Sequence, residues 1–176
     1  MHPRNVWKPL ALAVGVAIAL PAAAQSARDD GAVPHFYAGG SVGRNDNEEF
    51  TWGAFGGYQA NRWLGAEFGY HDLGTQVIGG TTIDASAWEL VGVGRIPVFD
   101  RFSAYGKLGG YMGRSHGGGV NENNTDLTYG LGVEYGFTQN LAVRGEWQRY
   151  SDLGGGGFGA TADLDVARLA VLYRFR

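Results

Sequence analysis

The sequence predicts an all-β fold, an eight-stranded antiparallel up-and-down transmembrane β-barrel. Three observations carry that expectation. Apolar and polar residues alternate with a period of two over most of 35–175. Short and long connections alternate between the alternating stretches. The faces holding the large residues carry more aromatic volume than a narrow barrel can enclose. Composition fits: 31 Gly, 9 Phe, 9 Tyr and 5 Trp among 176 residues, with a mean hydropathy of −0.17. There is no Cys, which excludes a disulfide scaffold, a thiolate metal site and a cysteine nucleophile. A net charge of −3 argues against a nucleic-acid partner, which needs a basic face.

Residues 1–24 read as a cleavable signal peptide. Arg4 and Lys8 precede an apolar run over 10–20; Pro21 breaks it, and Ala22-Ala23-Ala24 offers a cleavage site before Gln25. A membrane helix would need about 20 apolar residues. Cleavage near Ala24 would leave 25–176 as the barrel domain, its strands within 35–175, with 25–34 as a loose extension.

The expected strands cover 35–43, 50–59, 62–71, 84–96, 101–113, 126–137, 140–150 and 164–175. Ala60-Asn61, 97–100 and Thr138-Gln139 form the tight turns, and 44–49, 72–83, 114–125 and 151–163 the longer external loops. The sixth strand shows the pattern best. Leu127, Tyr129, Leu131, Val133, Tyr135 and Phe137 share one face, and Asp126, Thr128, Gly130, Gly132, Glu134 and Gly136 the other. The eighth repeats it, with Ala167, Leu169, Val171, Tyr173 and Phe175 opposite Arg168, Ala170, Leu172 and Arg174.

Periodicity does not say which face is inside, but volume does. The small-residue faces, mostly Gly, Ser and Thr with some charges, fit the interior of eight strands. The rings must therefore point out, and so large an apolar belt requires lipid. Phe36, Tyr58, Phe102, Phe137, Tyr173 and Phe175 fall at the ends where the chain begins and finishes. Trp52, Tyr70, Trp88, Tyr129 and Trp147 fall toward the opposite ends. Two aromatic girdles, one per interface, are the expectation. Gly40, Gly56, Gly92, Gly106 and Gly110 share the outward face and thin the apolar band.

The same parity turns Glu67, Glu89, Arg95, Lys107, Glu134, Arg144, Glu146, Arg168 and Arg174 inward. Charges in a narrow lumen must be paired or hydrated.

The stretch 52–70 (WGAFGGYQANRWLGAEFGY) resembles the second and third strands of the OmpA-type outer-membrane β-barrel family. So do YGKLGG at 105–110, GLGVEYGF at 130–137, LAVRGEWQ at 141–148 and the ending VLYRF at 171–175. The resemblance implies an integral barrel of the Gram-negative outer membrane, in contact with its lipid and lipopolysaccharide. Its C-terminal strand would be the signal read by the barrel-assembly machinery, although Arg176 follows the closing Phe175. Many family members carry a periplasmic peptidoglycan-binding domain after the barrel, and none is expected here. The resemblance also implies a lumen salt-bridge network of Glu67, Lys107, Glu134, Arg144 and Glu146. Val93 stands where the family places a further lumen Lys. The pairing expected is Glu134 with Lys107 and Glu67 with Arg144 across the lumen.

No enzyme, cofactor or metal is expected. His35, His71 and His116 are the histidines beyond the leader, none two residues before a Ser on a strand, and Ser115-His116 falls in a Gly-rich loop. The NENNTD stretch at 121–126 lacks the closing bidentate Glu of a calcium loop. Gly154 to Gly157 lacks the Lys-Ser/Thr of a phosphate loop. The expected role is structural or surface-interactive, with the lumen plugged. The alternatives are a low-conductance pore and, outside membranes, a secreted lipocalin-like carrier.

Overall fold

The computed structural model describes residues 34–78, 81–117, 120–155 and 160–175. Eight strands follow in chain order: β1 His35–Asn45, β2 Phe50–Gln59, β3 Leu64–Ile78, β4 Thr81–Phe99, β5 Phe102–Gly117, β6 Val120–Gly136, β7 Leu141–Gly155 and β8 Ala160–Phe175. Each pairs antiparallel with the next, and β1 pairs with β8, closing the barrel. Closure leaves no edge strand, so every ladder group can be satisfied within the sheet, as hydrocarbon demands. The expected leader at 1–24 lies outside the described residues.

Local chemistry explains the connections at one end, the turn end. The Asn61 Oδ1 accepts the backbone N–H groups of Trp63 and Leu64 at 2.8 and 2.9 Å. The Thr138 Oγ1 accepts those of Asn140 and Leu141 at 3.2 and 2.9 Å. These side chains replace backbone partners and fix tight reversals. Pro97, which has no N–H to give, sits at a register shift near the end of β4.

The opposite end, the hairpin end, differs from expectation. Most of the stretches 72–83, 114–125 and 151–163 are paired strand, including 121–126 and Ser115-His116. Among the described residues, 44–49 is the stretch that remains mainly a turn, spanning Asp46 to Glu49. The physical reason is solvent. A hairpin rising beyond the bilayer meets water on both faces, so its two-residue alternation disappears while its pairing does not.

Orientation follows parity. Phe36, Trp52, Tyr58, Phe68, Trp88, Leu90, Leu108, Leu131, Phe137, Leu169, Tyr173 and Phe175 are exposed on the outer wall. Tyr70, Phe102, Tyr129 and Trp147 share that outward parity and are half-buried among neighbours. Ring contacts form within each rim: Phe36 with Tyr58 and Tyr173 with Phe175 at the turn end, Tyr70 with Trp88 and Tyr129 with Trp147 toward the hairpin end.

The interior holds more than small residues. Tyr37, Phe55, Tyr105, Tyr111 and Tyr150 are buried inside, contrary to the expected Gly/Ser/Thr filling. Glycine makes the room. Tyr37 faces Gly57 across the ladder, Tyr105 faces Gly132, Phe55 faces Gly39 and His71 faces Gly53. A Cβ on Gly57 would lie 2.4 Å from the Tyr37 ring, and one on Gly132 2.5 Å from the Tyr105 ring. On the lipid face, Gly40, Gly56, Gly92, Gly106 and Gly110 have ordinary space for a Cβ, with nothing nearer than 3.5 Å.

Candidate functional site: the lumen

The inward parity of β3 to β8 brings the buried charges to one axis. Glu134 on β6 faces Arg144 on β7 directly in register, because the turn between them is short. The Glu134 carboxylate takes three guanidinium groups: Arg144 Nε at 2.6 Å, Arg95 at 2.9 Å and Arg174 at 2.5 Å. Arg144 then reaches across to Glu67 on β3, its Nη1 donating to both carboxylate oxygens at 2.9 and 2.8 Å. Lys107 on β5 joins Glu67 at 3.2 Å to Glu146 at 2.7 Å. Glu146 also accepts the Tyr105 hydroxyl at 2.8 Å and lies 3.6 Å from Arg168.

Arg168 links this group to a second one. It donates to the Gln148 Oε1 and to the Tyr150 hydroxyl, both at 2.8 Å. Gln148 and Tyr150 in turn donate to Glu89 at 2.7 and 2.9 Å, and the His71 Nε2 lies 3.1 Å from the same carboxylate. From Glu134 to Glu89 the buried ionic groups thus alternate in sign along one ladder, with Arg95 and Arg174 both added on Glu134.

The structure brings Glu67, Lys107, Glu134, Arg144 and Glu146 together. It joins Glu67 to Arg144 as expected, but it corrects the pairing of Glu134 with Lys107. In the β5–β6 register Lys107 faces Gly130, while Glu134 faces Ser103, so the two charges sit at different depths. Val93, buried, faces Lys107.

Sequence reasoning placed Arg95, Glu89, Arg168 and Arg174 inside but assigned them no partners, weighed His71 only as a catalyst, and overlooked Gln148, Tyr37, Tyr105 and Tyr150. All have the inward parity of their strands, so the signal was present. The Arg144 guanidinium lies 4.9 Å from the Tyr105 ring, 5.1 Å from Tyr37 and 5.5 Å from Phe55. Rings around a desolvated cation add attraction that water cannot screen.

Above the ladder, toward the hairpin end, an apolar cluster packs inside the barrel: Leu73, Ala85, Ala87, Tyr111, Tyr150, Leu164 and Val166. Two β-bulges build it. A register shift at Asp72/Gly74, with Gly74 at φ 73°, turns Leu73 inward. The Asp72 carboxylate accepts the Gly74 N–H at 2.9 Å, and the Asn45 amide donates to the Leu73 carbonyl at 2.9 Å. The second shift, between Tyr150 and Leu153, presents the Ser151 carbonyl to the Tyr111 hydroxyl at 2.6 Å. Among the described residues, no group of three or more His, Cys, Asp or Glu side chains is arranged to hold a metal ion.

The family model of the OmpA-like transmembrane domain matches residues 22–176. The chain is 30% identical to outer membrane protein A of Klebsiella aerogenes, over 96% of this chain and 55% of that protein. It is 33% identical to outer membrane protein A of Klebsiella pneumoniae, over 80% of this chain and 46% of that protein. The chain thus spans about half the length of the curated relatives it matches. Among solved structures, the N-terminal β-barrel domain of Pseudomonas aeruginosa OprF superposes with a TM-score of 0.61 at 14% identity, covering 80% of this chain and 97% of that one. Neisserial surface protein A gives 0.61 at 14% identity, covering 81% and 97%. Ail of Yersinia pestis, crystallised with the heparin analogue sucrose octasulfate, gives 0.53 at 15% identity, covering 81% and 97%.

Proposed function

Because the chain belongs to the OmpA-like transmembrane domain family, an outer-membrane β-barrel of Gram-negative bacteria, we propose that it is an envelope protein with a closed lumen and a structural or surface-interaction role. The observation that carries the reading is Arg144, which ties Glu67 to Glu134 across the axis with its side chain 1% exposed. Rearranging that ladder strands charges in low dielectric, and the apolar cluster above it excludes water. A secreted carrier is set aside, since it would hold Glu134 and Arg144 in water and its rings inside.

The turn end faces the periplasm in this reading, with the aromatic residues anchoring the two interfaces and the hairpins outside. Export would follow cleavage near Ala24, and the Phe175 ending would serve the assembly machinery. The hairpin end carries Asp46, Glu48, Glu49, Asp72, Asp84, Glu122, Asp126, Asp152, Asp163 and Asp165 against Arg44, Arg114 and Arg149. Such a surface suits cationic partners, or lipopolysaccharide bridged by divalent cations, better than a polysulfate. The reading is non-enzymatic, since His71 is committed to Glu89 inside the barrel.

Planar-bilayer recording of the refolded chain tests closure. No resolved channel events are expected for the wild type or for Arg144→Ala. Steady conductance in the wild type would replace this reading with the low-conductance pore.

A further inference from the structure

We propose that the turn end of the lumen holds a binding site for one small oxyanion, made by Arg95 and Arg174. The argument begins with the order of charges along the ladder. From Glu134 onward it alternates: Glu134, Arg144, Glu67, Lys107, Glu146, Arg168 and, through Gln148 and Tyr150, Glu89. One arginine below Glu134 would complete a neutral series. Two are there, and among the described residues both make their ion pair to that same carboxylate. The surplus positive charge therefore sits at the turn end.

Donor supply agrees with charge. Glu134 already accepts from three guanidinium groups. The Nε of Arg95 and the Nε of Arg174 are buried, and neither has a hydrogen-bond partner among the described residues; the Arg144 Nη2 and the Arg168 Nε share that state, so it is the surplus charge that singles out the turn end. The two residues are 6% and 7% exposed, so bulk water cannot replace that pairing fully. Two guanidinium groups meeting at one carboxylate form a forked donor set that suits phosphate or carboxylate oxygens. Arg95 lies near the end of β4 and Arg174 near the end of β8, both toward the turn end of the lumen.

The oxyanion is one taken up from solution, with inorganic phosphate as the probe of that chemistry. The site is independent of whether the lumen conducts.

The test uses the full chain refolded in lipid nanodiscs, with inorganic phosphate titrated at constant ionic strength and the arginine Nε–H resonances followed by NMR. Saturable shifts at Arg95 and Arg174, with Arg149 on the outer wall as an unmoved control, are expected in the wild type. Arg95→Gln and Arg174→Gln should each weaken phosphate about tenfold, the loss of one charge-assisted hydrogen bond, and should refold as well as the wild type, because each leaves a neutral ladder. Arg95→Lys, which keeps the charge without the Nε donor, should also bind more weakly. The proposal is overturned if the wild type shows no saturable shift, if Arg149 shifts in parallel, or if binding survives both Gln variants.

Discussion

At the turn end of the lumen Arg95, Arg144 and Arg174 surround Glu134; at the hairpin end Leu73, Tyr111, Tyr150, Leu164 and Val166 pack among themselves. Both arrangements fill the same bore, yet they resist different disturbances. An ionic closure is directional, and removing Arg144, which ties two carboxylates, leaves both buried and undercompensated. An apolar closure has no preferred partner, and its weakness is volume. In the closed-lumen reading proposed above, the barrel combines one closure that senses charge with one that excludes water.

The largest test of this contrast is Arg144→Met. It should destabilise the barrel by about 3–5 kcal/mol, read as a lower urea midpoint for the compact, heat-modifiable gel species in lipid vesicles. A loss no larger than that of an exposed ion pair would erase the distinction between the two ends. Leu73→Ala, at 0% exposure, should cost about 2–4 kcal/mol through the cavity it leaves. Its cost should not respond to salt. Combining it with Arg144→Ala sharpens the comparison, because channel events should appear only when both closures are weakened.

Next in size is a pair of glycines. Gly132→Ala pushes a methyl into the Tyr105 ring and should cost about 1–3 kcal/mol. Gly106→Ala points to lipid, where its Cβ would meet Leu131 at 3.5 Å, and should change stability by under about 0.5 kcal/mol. Equal costs in the same urea assay would mean that backbone bending, not ring seating, explains the inward glycine.

The smallest expected effect lies at the first outer turn. Burial and the neighbouring Asp165 carboxylate raise the Asp46 carboxyl above its ordinary value. Its charged form is therefore disfavoured in the fold at neutral pH, and that penalty is relieved as pH falls through the raised value. Asp46→Asn should gain under about 0.5 kcal/mol at neutral pH, allowing for solvent screening, and the gain should fade on acidification. A gain that grows in acid would reverse the sign argued here.

Much of the barrel was legible because a two-residue period marks both the wall and the bore. Glu67, Lys107, Glu134, Arg144 and Glu146 were placed inside by parity and family resemblance together. Partners were harder to read. Glu134 and Arg144 meet because a tight turn fixes their register, a local fact. Which distant charges share a depth depends on stagger around the closed sheet, which no single strand encodes, and this is where the Glu134–Lys107 pairing failed. The long hairpins were missed because water on both faces removes the alternation. Leu73 in the lumen depends on a bulge, which shifts the register after Asp72.

The rings seated over glycines bear on how the strands find their alignment. Sliding one strand by a single residue is forbidden by parity, since it would turn charges into hydrocarbon. Sliding by two keeps every inside group inside, so alternation alone cannot prevent it. That slip would set Tyr37 against Phe55 or Gln59 instead of Gly57, and His71 against Phe55 or Thr51 instead of Gly53. Each ring and its facing glycine therefore act as a key and slot that reject the misalignments which polarity would let pass.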